Sequence, residues 1–320
     1  MITPPTLTLR RRLAEYLALL MVLGVLIAFF GSMTDHFFTA RTLRTIANQV
    51  PEGILIAVGM TYILIIAGID LSVGAVLGLS GAVLGLALTR WGLPLPLAIP
   101  ACLLVGAACG CLTGLTVVRW SLPSFIVTLG MLEAARGGTY LVSNSQTAYV
   151  GAVVERITEI TAFGLSLPFL SAIGVAIAAQ VVLSRTVFGR YMVAVGTNEE
   201  AVRLSGIDPR PVKVAVFIIS GLLAAVAAVA NVARLGAADP NAGIGFELNA
   251  IAAVVIGGTS LMGGRGSVVS SVLGVLIIAV LENGLAQMGA QEPVKRIVTG
   301  AVIVAAVILD YYRAKLRAPA

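Results

Sequence analysis

The residue types that do chemistry are few in this chain and widely spaced. Its three cysteines, Cys102, Cys109 and Cys111, fall in one apolar run. An odd number leaves no paired disulfide framework, and they read as small, buried, inert packing residues. The single histidine, His36, has no nearby cysteine or second histidine, so metal chemistry of the His/Cys kind is not expected. A phosphate-cradling loop ends in G-K-[ST]. The three lysines, Lys213, Lys295 and Lys315, follow Val212, Val294 and Ala314, so none can close such a loop. No nucleophile-and-base pair stands out either. The expectation is a chain that is no enzyme, holds no cofactor and draws its energy from a separate subunit or an ion gradient.

The remaining candidates are charges in apolar surroundings. Asp70 in "AGIDLSVG" either caps the helix that follows, with Ser72, or belongs to a pathway. Glu133 and Arg136 in "MLEAARGG" lie three residues apart, a spacing that places them side by side on a helix. They form an internal ion pair or serve a pathway or gate, because charges within a membrane span are costly and are usually paired or functional. "RLGAADPNAGIGFELNAIA", from Arg234 to Ala252, holds Asn241, Glu247 and Asn249 among helix breakers. Broken backbone at membrane depth is tolerated only where it lines a cavity or is buried in protein. This stretch is therefore an outer gate or docking surface, or else an ordinary polar loop.

The elements that must hold these residues follow from composition. The 320 residues are 58% hydrophobic and only 11% charged, with a mean hydropathy of +1.01 and 35 glycines. Soluble domains carry about 25% charged residues, so lipid is the solvent for most of this chain. A span needs about 20 apolar residues. Ten such runs are predicted, at roughly 13–31, 50–68, 71–89, 94–118, 121–142, 164–184, 212–234, 244–262, 267–288 and 294–311. The first, behind Arg10, Arg11 and Arg12, is long enough to span and lacks a good cleavage site, so it reads as a retained helix. With the N-terminus inside, inner segments hold 13 of the 21 Lys and Arg residues, which places both termini in the cytoplasm. Gly74, Gly78, Gly81 and Gly85 share one helical face, as do Gly106, Gly110 and Gly114. Such stripes let helices approach closely, or let one slide.

One cytoplasmic segment is unusually charged, "GTNEEAVRLSGIDPRP" from Gly196 to Pro211. Asn198 suits an N-cap, Glu199 and Glu200 suit the positive end of a helix dipole, and Gly206 suits a left-handed C-terminal position. Asp208-Pro209 then restarts the chain. The segment encodes a helix of about two turns, too short to be stable without a surface beneath it. It is a connector lying on its own spans or a docking helix for a partner.

"EAVRLSG" resembles the coupling motif of ATP-binding-cassette importer permeases. "AVGMTYILIIAGIDLSVGAVLGLSGA", "LPSFIVTLGM", "GRYMVAVGTNEEAVRLSGI" and "GFELNAIAAVVIGGTSLMGGRGS" resemble the permeases of the ribose, xylose, arabinose and galactose type. The likeness runs from about Asn48 to the C-terminus; Glu133 departs from it, where apolar residues are expected before the Arg-Gly pair. The resemblance implies an all-α, polytopic permease fold of about ten spans, one transmembrane domain over 1–320 with a coupling segment at about 185–213. It implies a homodimeric channel in the bacterial inner membrane, driven by cytoplasmic ATPase subunits. An extracytoplasmic binding protein would deliver a monosaccharide, and no nucleic acid is involved. Asn198, Glu199, Glu200, Ala201, Arg203, Gly206 and Asp208 would then meet the ATPase. An ion-coupled secondary transporter of a small polar solute is the alternative; that class places carboxylates deep in the bilayer, where Glu133 is the candidate.

Overall fold

The computed structural model describes residues 5–34, 37–159, 161–162 and 165–315, so His36 lies outside the described residues. The described chain is helical apart from short connections and a few two-residue strands. The helices in its first half are α1 (Pro5–Met33), α2 (Ala40–Ile65), α3 (Val73–Thr89), α4 (Leu95–Trp120) and α5 (Ser124–Ser143). β1 (Ala148–Tyr149), α6 (Ala152–Glu159), β2 (Thr161–Ala162), β3 (Leu165–Ser166) and α7 (Leu167–Arg185) follow. Next come α8 (Val187–Thr197), α9 (Glu199–Leu204), α10 (Arg210–Leu235) and β4 (Ala237–Ala238). The chain closes with α11 (Phe246–Ile256), α12 (Val268–Gln287) and α13 (Glu292–Lys315).

Among the described residues, six helices are long and apolar enough to cross a membrane: α1, α2, α4, α7, α10 and α12. Each coincides with a predicted span. The other four predicted spans fall on α3, α5, α11 and α13, of which α3 and α11 are shorter apolar helices of 17 and 11 residues. The span expected at 244–262 is thus corrected. At about 1.5 Å per residue, α11 covers about 17 Å, well short of a bilayer core of about 30 Å.

Two connections explain the short helices. α2 ends at Ile65, and residues 66–72 fold back into the bundle instead of leaving it. Asp70 accepts a 2.9 Å hydrogen bond from Ser220, which lies ten residues along α10, or about 15 Å from its start. α3 therefore begins inside the bundle. In the second case α10 ends at Leu235 at the opposite end, where β4 pairs with β1 (Ala148↔Ala238, Tyr149↔Ala237). Residues 239–245 then run back along the glycine face of α3: Ala238 meets Gly85, Ala242 meets Gly78 and Gly243 meets Gly74. From Gly85 to Gly74 is about 16 Å along the α3 axis. α11 starts at that depth and returns toward the α9 end. The two units are alike in plan and opposite in direction, and their short helices begin next to each other.

α2 is the central helix, with 83% of its apolar window buried against α7, α10, α11 and α12, whereas α1 is peripheral at 6%. α4 and α10 cross in close contact. Gly106 and Gly110 lie directly against Gly221 and Phe217, and Gly114 against Val214. The expectation of tight packing at this stripe holds, and Cys102 and Cys109 are buried in it, with Cys111 half-buried.

A side chain at Gly221 would collide with the Gly106 carbonyl, while Gly174 on α7 faces open space. Overpacking of a dense core typically costs about 1–3 kcal/mol. Thermal unfolding of the detergent-solubilised protein should show Gly221→Val melting well below the parent and Gly174→Ala unchanged or slightly higher.

Candidate functional site

The junction of the two short helices brings together three of the residues singled out in the sequence, Arg136, Asn241 and Glu247. Arg136, on the inward side of α5, reaches across α3 and donates two hydrogen bonds, to Pro240 O (3.1 Å) and Ala242 O (3.0 Å). Peptide carbonyls of a segment that is neither helix nor strand need such a donor when buried. Gly78 leaves the room for the guanidinium, since a Cβ there would lie 3.1 Å from its Nη1. Gly74 does the same for the backbone of Gly243 and the carboxylate of Glu247. Gly243 and Gly245 adopt φ of +75° and +84°, the left-handed region that a residue with a Cβ enters only at a cost. Asn241 Oδ1 accepts from Tyr140 Oη at 3.1 Å, and its backbone N–H is held by Asp239 at 2.9 Å. The α3 stripe is thus a seat for broken backbone and two charged side chains.

Glu133 departs from the ion-pair reading. Arg136 is turned to the carbonyls, and among the described residues Glu133 has no salt-bridge partner and lies exposed. It shares an exposed α5 face with Ile126, Leu129, Gly130, Gly137 and Leu141. Asp70 stands apart from Arg136. Its Oδ1 accepts from Ser72 N (2.9 Å) and Ser72 Oγ (2.6 Å), and its Oδ2 from Ser220 Oγ. The carboxylate therefore fixes the turn that leads into α3 and ties it to α10, but it accepts from no first-turn amide of α3, so it is not the helix cap expected from the sequence.

Asn249 lines a different space, a cavity of about 120 Å³ between α2, α11 and α12 that also takes in Gln49, Glu52 and Glu282. Glu52 belongs to a cluster that sequence reasoning missed. Only 2% exposed, it accepts from Asn231 Nδ2 (2.8 Å), Arg234 Nε (2.7 Å) and Arg234 Nη2 (3.3 Å). It binds α2 to the end of α10 where the chain turns back. A mid-helix Glu and a near-terminal Arg 182 positions apart carry no local signal that pairs them.

At the other end, α9 has the caps its sequence encodes. Asn198 Oδ1 accepts from Ala201 N at 2.9 Å. Gly206 has φ +82°, Ile207 N bonds Val202 O and Gly206 N bonds Arg203 O, the paired bonds of a Schellman ending. The helix is six residues, about 9 Å, somewhat shorter than the two turns expected. Glu200 pairs with Arg203, Glu199 with Lys213, and Asp208 holds Arg210 N. Val202 is the one buried side chain of α9, while Leu204 is 80% exposed. The glycines behind it explain its fixed seat: Gly196 lies on the Ile65 carbonyl, and Gly264 N donates to that same carbonyl at 2.9 Å.

Glu52→Ala leaves Arg234 and Asn231 without their buried acceptor. Losing one partner of such a pair costs about 3–5 kcal/mol, and the melting temperature in detergent should fall accordingly. Glu52→Leu combined with Arg234→Met should recover much of the loss.

Residues 42–307 match the family described as branched-chain amino acid transport system / permease component. The chain is 40% identical over 299 residues to the ribose import permease protein RbsC of Escherichia coli (strain K12), covering 91% of this chain and 92% of that protein. It is 38% identical to the D-allose transport system permease protein AlsC of the same organism, with 90% and 89% covered. To the xylose transport system permease protein XylH, also from that organism, identity is 33%, again with 90% and 89% covered. A multi-pass bundle with such relatives along nearly its whole length belongs to this family of transport-system permease components.

Proposed function

We propose that this chain is the membrane subunit of an ATP-binding-cassette importer, a single permease domain over 1–320, and that it carries a monosaccharide. The observation that carries the reading is the near full-length identity to a ribose import permease, joined by a capped surface helix at the matching motif. The family's description names branched-chain amino acids, but the full-length relatives named above take ribose, allose and xylose, which favours a sugar. The importer sits in a bacterial inner membrane with both termini in the cytoplasm. The end bearing α9 then faces the cytoplasm, and the segment at about 185–213 docks on a separate ATPase through Asn198, Glu199, Glu200, Ala201, Arg203, Gly206 and Asp208. A sugar-binding protein delivers solute at the opposite end.

The pathway runs along the junction of α3 and α11, with Asp70, Glu133, Arg136, Asn241, Glu247 and Asn249 as its polar lining or supports. An unpaired carboxylate on a lipid-facing surface is costly. The α5 face with Glu133 is therefore covered by the water of the pathway and by a second copy of the chain.

Uptake by inverted or right-side-out vesicles separates this reading from an ion-coupled carrier. With the cognate ATPase and binding protein present, uptake should need ATP and survive collapse of the proton gradient; gradient-driven uptake without ATP would overturn it. In the same vesicles, Asn198→Ala with Gly206→Val should leave abundance intact. Removing the cap alone weakens the helix by about 0.5–2 kcal/mol. Uptake and solute-stimulated ATP hydrolysis should fall together, and normal rates with normal ATPase binding would make α9 a mere connector.

A further inference from the structure

The loop between α11 and α12, residues 257–267, is tightly built. Ser260 N bonds Arg265 O (3.0 Å), Gly263 N bonds Ser260 O (3.2 Å), and Met262 N bonds Ser260 Oγ (3.2 Å). Gly258, Gly263 and Gly264 all have positive φ, and Thr259 and Ser260 are buried. Gly264 N is fixed to Ile65 O, so the loop is tied to the end of α2. Yet its tip points an apolar side chain outward. Met262 is 85% exposed, the highest exposure among the large hydrophobic side chains described, with Leu261 at 39% and Arg265 exposed beside them.

A mobile loop can fold such a side chain away; this loop is held by its own hydrogen bonds and cannot. An apolar tip that its own loop holds outward is available for a contact. What covers it follows from its neighbours. Gly263 packs on the Gly196 carbonyl and Ala67, and Gly264 packs on Thr197. Thr197 immediately precedes Asn198, the cap of α9, whose own exposed apolar residue is Leu204. The tip and the capped helix are therefore parts of one continuous surface at one end of the bundle.

We propose that the 260–266 loop is a second contact of the ATPase, beside α9, with Met262 seated in an apolar socket rimmed by an acidic group that meets Arg265. The inference rests on the reading of α9 as the docking helix. Two contacts at separate points on one subunit resist rotation as well as pulling. Because the loop is bonded to the end of α2 and leads directly into α12, a push on it acts on two spans that α9 does not enter.

The test places a photoreactive phenylalanine at 262, at 204 and, as a lipid-facing control, at the exposed Leu104 on α4, in the assembled transporter in its native membrane. Positions 262 and 204 should both capture one and the same chain, identified by peptide sequencing as carrying a phosphate-cradling loop, and position 104 should not. Met262→Asp should cut uptake and coupled ATP hydrolysis by about tenfold, the effect of losing about 1.4 kcal/mol of contact energy, at unchanged abundance, while Met262→Leu transports normally. Capture at 204 without capture at 262, adducts at 262 with lipid or a second copy only, or parental transport by Met262→Asp would overturn the second contact and leave α9 standing. No ATPase adduct at either position would overturn both.

Discussion

Peptide groups that leave a helix inside an apolar bundle must find hydrogen-bond partners within the protein. This chain meets that demand twice, once at 66–72 and once at 236–245, and the rest of the architecture is arranged around the solution. At the first, Ser124 Oγ takes the Ile69 N–H, Thr128 Oγ1 donates to Ile69 O, and Asp70 gathers Ser72 and Ser220. At the second, Arg136 supplies two donors to the carbonyls at 240 and 242. The second segment could not lie where it does if α3 carried ordinary side chains on its glycine face. The short helices α3 and α11 are consequences: each is what remains of a span after its first part has become irregular backbone.

Discontinuous helices that start at mid-depth in oppositely directed units are a recurrent way of building a transport site, because helix ends and free peptide groups become available to a solute. Here the starts of α3 and α11 meet at Gly74 and Gly243. The far end of the bundle is tied to this junction by Glu52, Asn231 and Arg234, which fix the point where α10 turns back. The α9 end is tied to it by the stacked backbones of Ile65, Gly196, Gly263 and Gly264. Those close approaches involve main chain on main chain, so displacement of α8 and α9 is passed to α2 with little room for slack.

Much of this was legible in the chain. Apolar runs placed the long helices, and the residues of α9 wrote out their own caps, because an N-cap and a left-handed glycine act locally. The helix breakers between Arg234 and Ala252 signalled irregular backbone, which the structure places against α3. What hydropathy misjudged was the span at 244–262, since an average over a window does not register that Gly243 and Gly245 take positive φ or that residues 240–245 are a run of turns. Glu133 and Arg136 have the spacing of an ion pair, but the carbonyls of 240 and 242 compete for the guanidinium, and that competition is long-range. The Glu52 cluster was invisible for the same reason.

The account turns on the claim that residues 241–248, the end of the broken stretch and the first turn of α11, lie open to the solute path at the middle of the bundle. Asn241, Ile244 and Leu248 are all exposed in the isolated chain. Single cysteines at these three positions, on a background without Cys102, Cys109 and Cys111, can be reacted with a water-soluble, membrane-impermeant thiol reagent in the working transporter. The account predicts that all three react, from the end bearing Tyr149, and that transported solute slows the reaction at 244 and 248. Inert cysteines at 244 and 248 beside a reactive one at Tyr149 would show that this stretch is sealed in protein or lipid, and would contradict it.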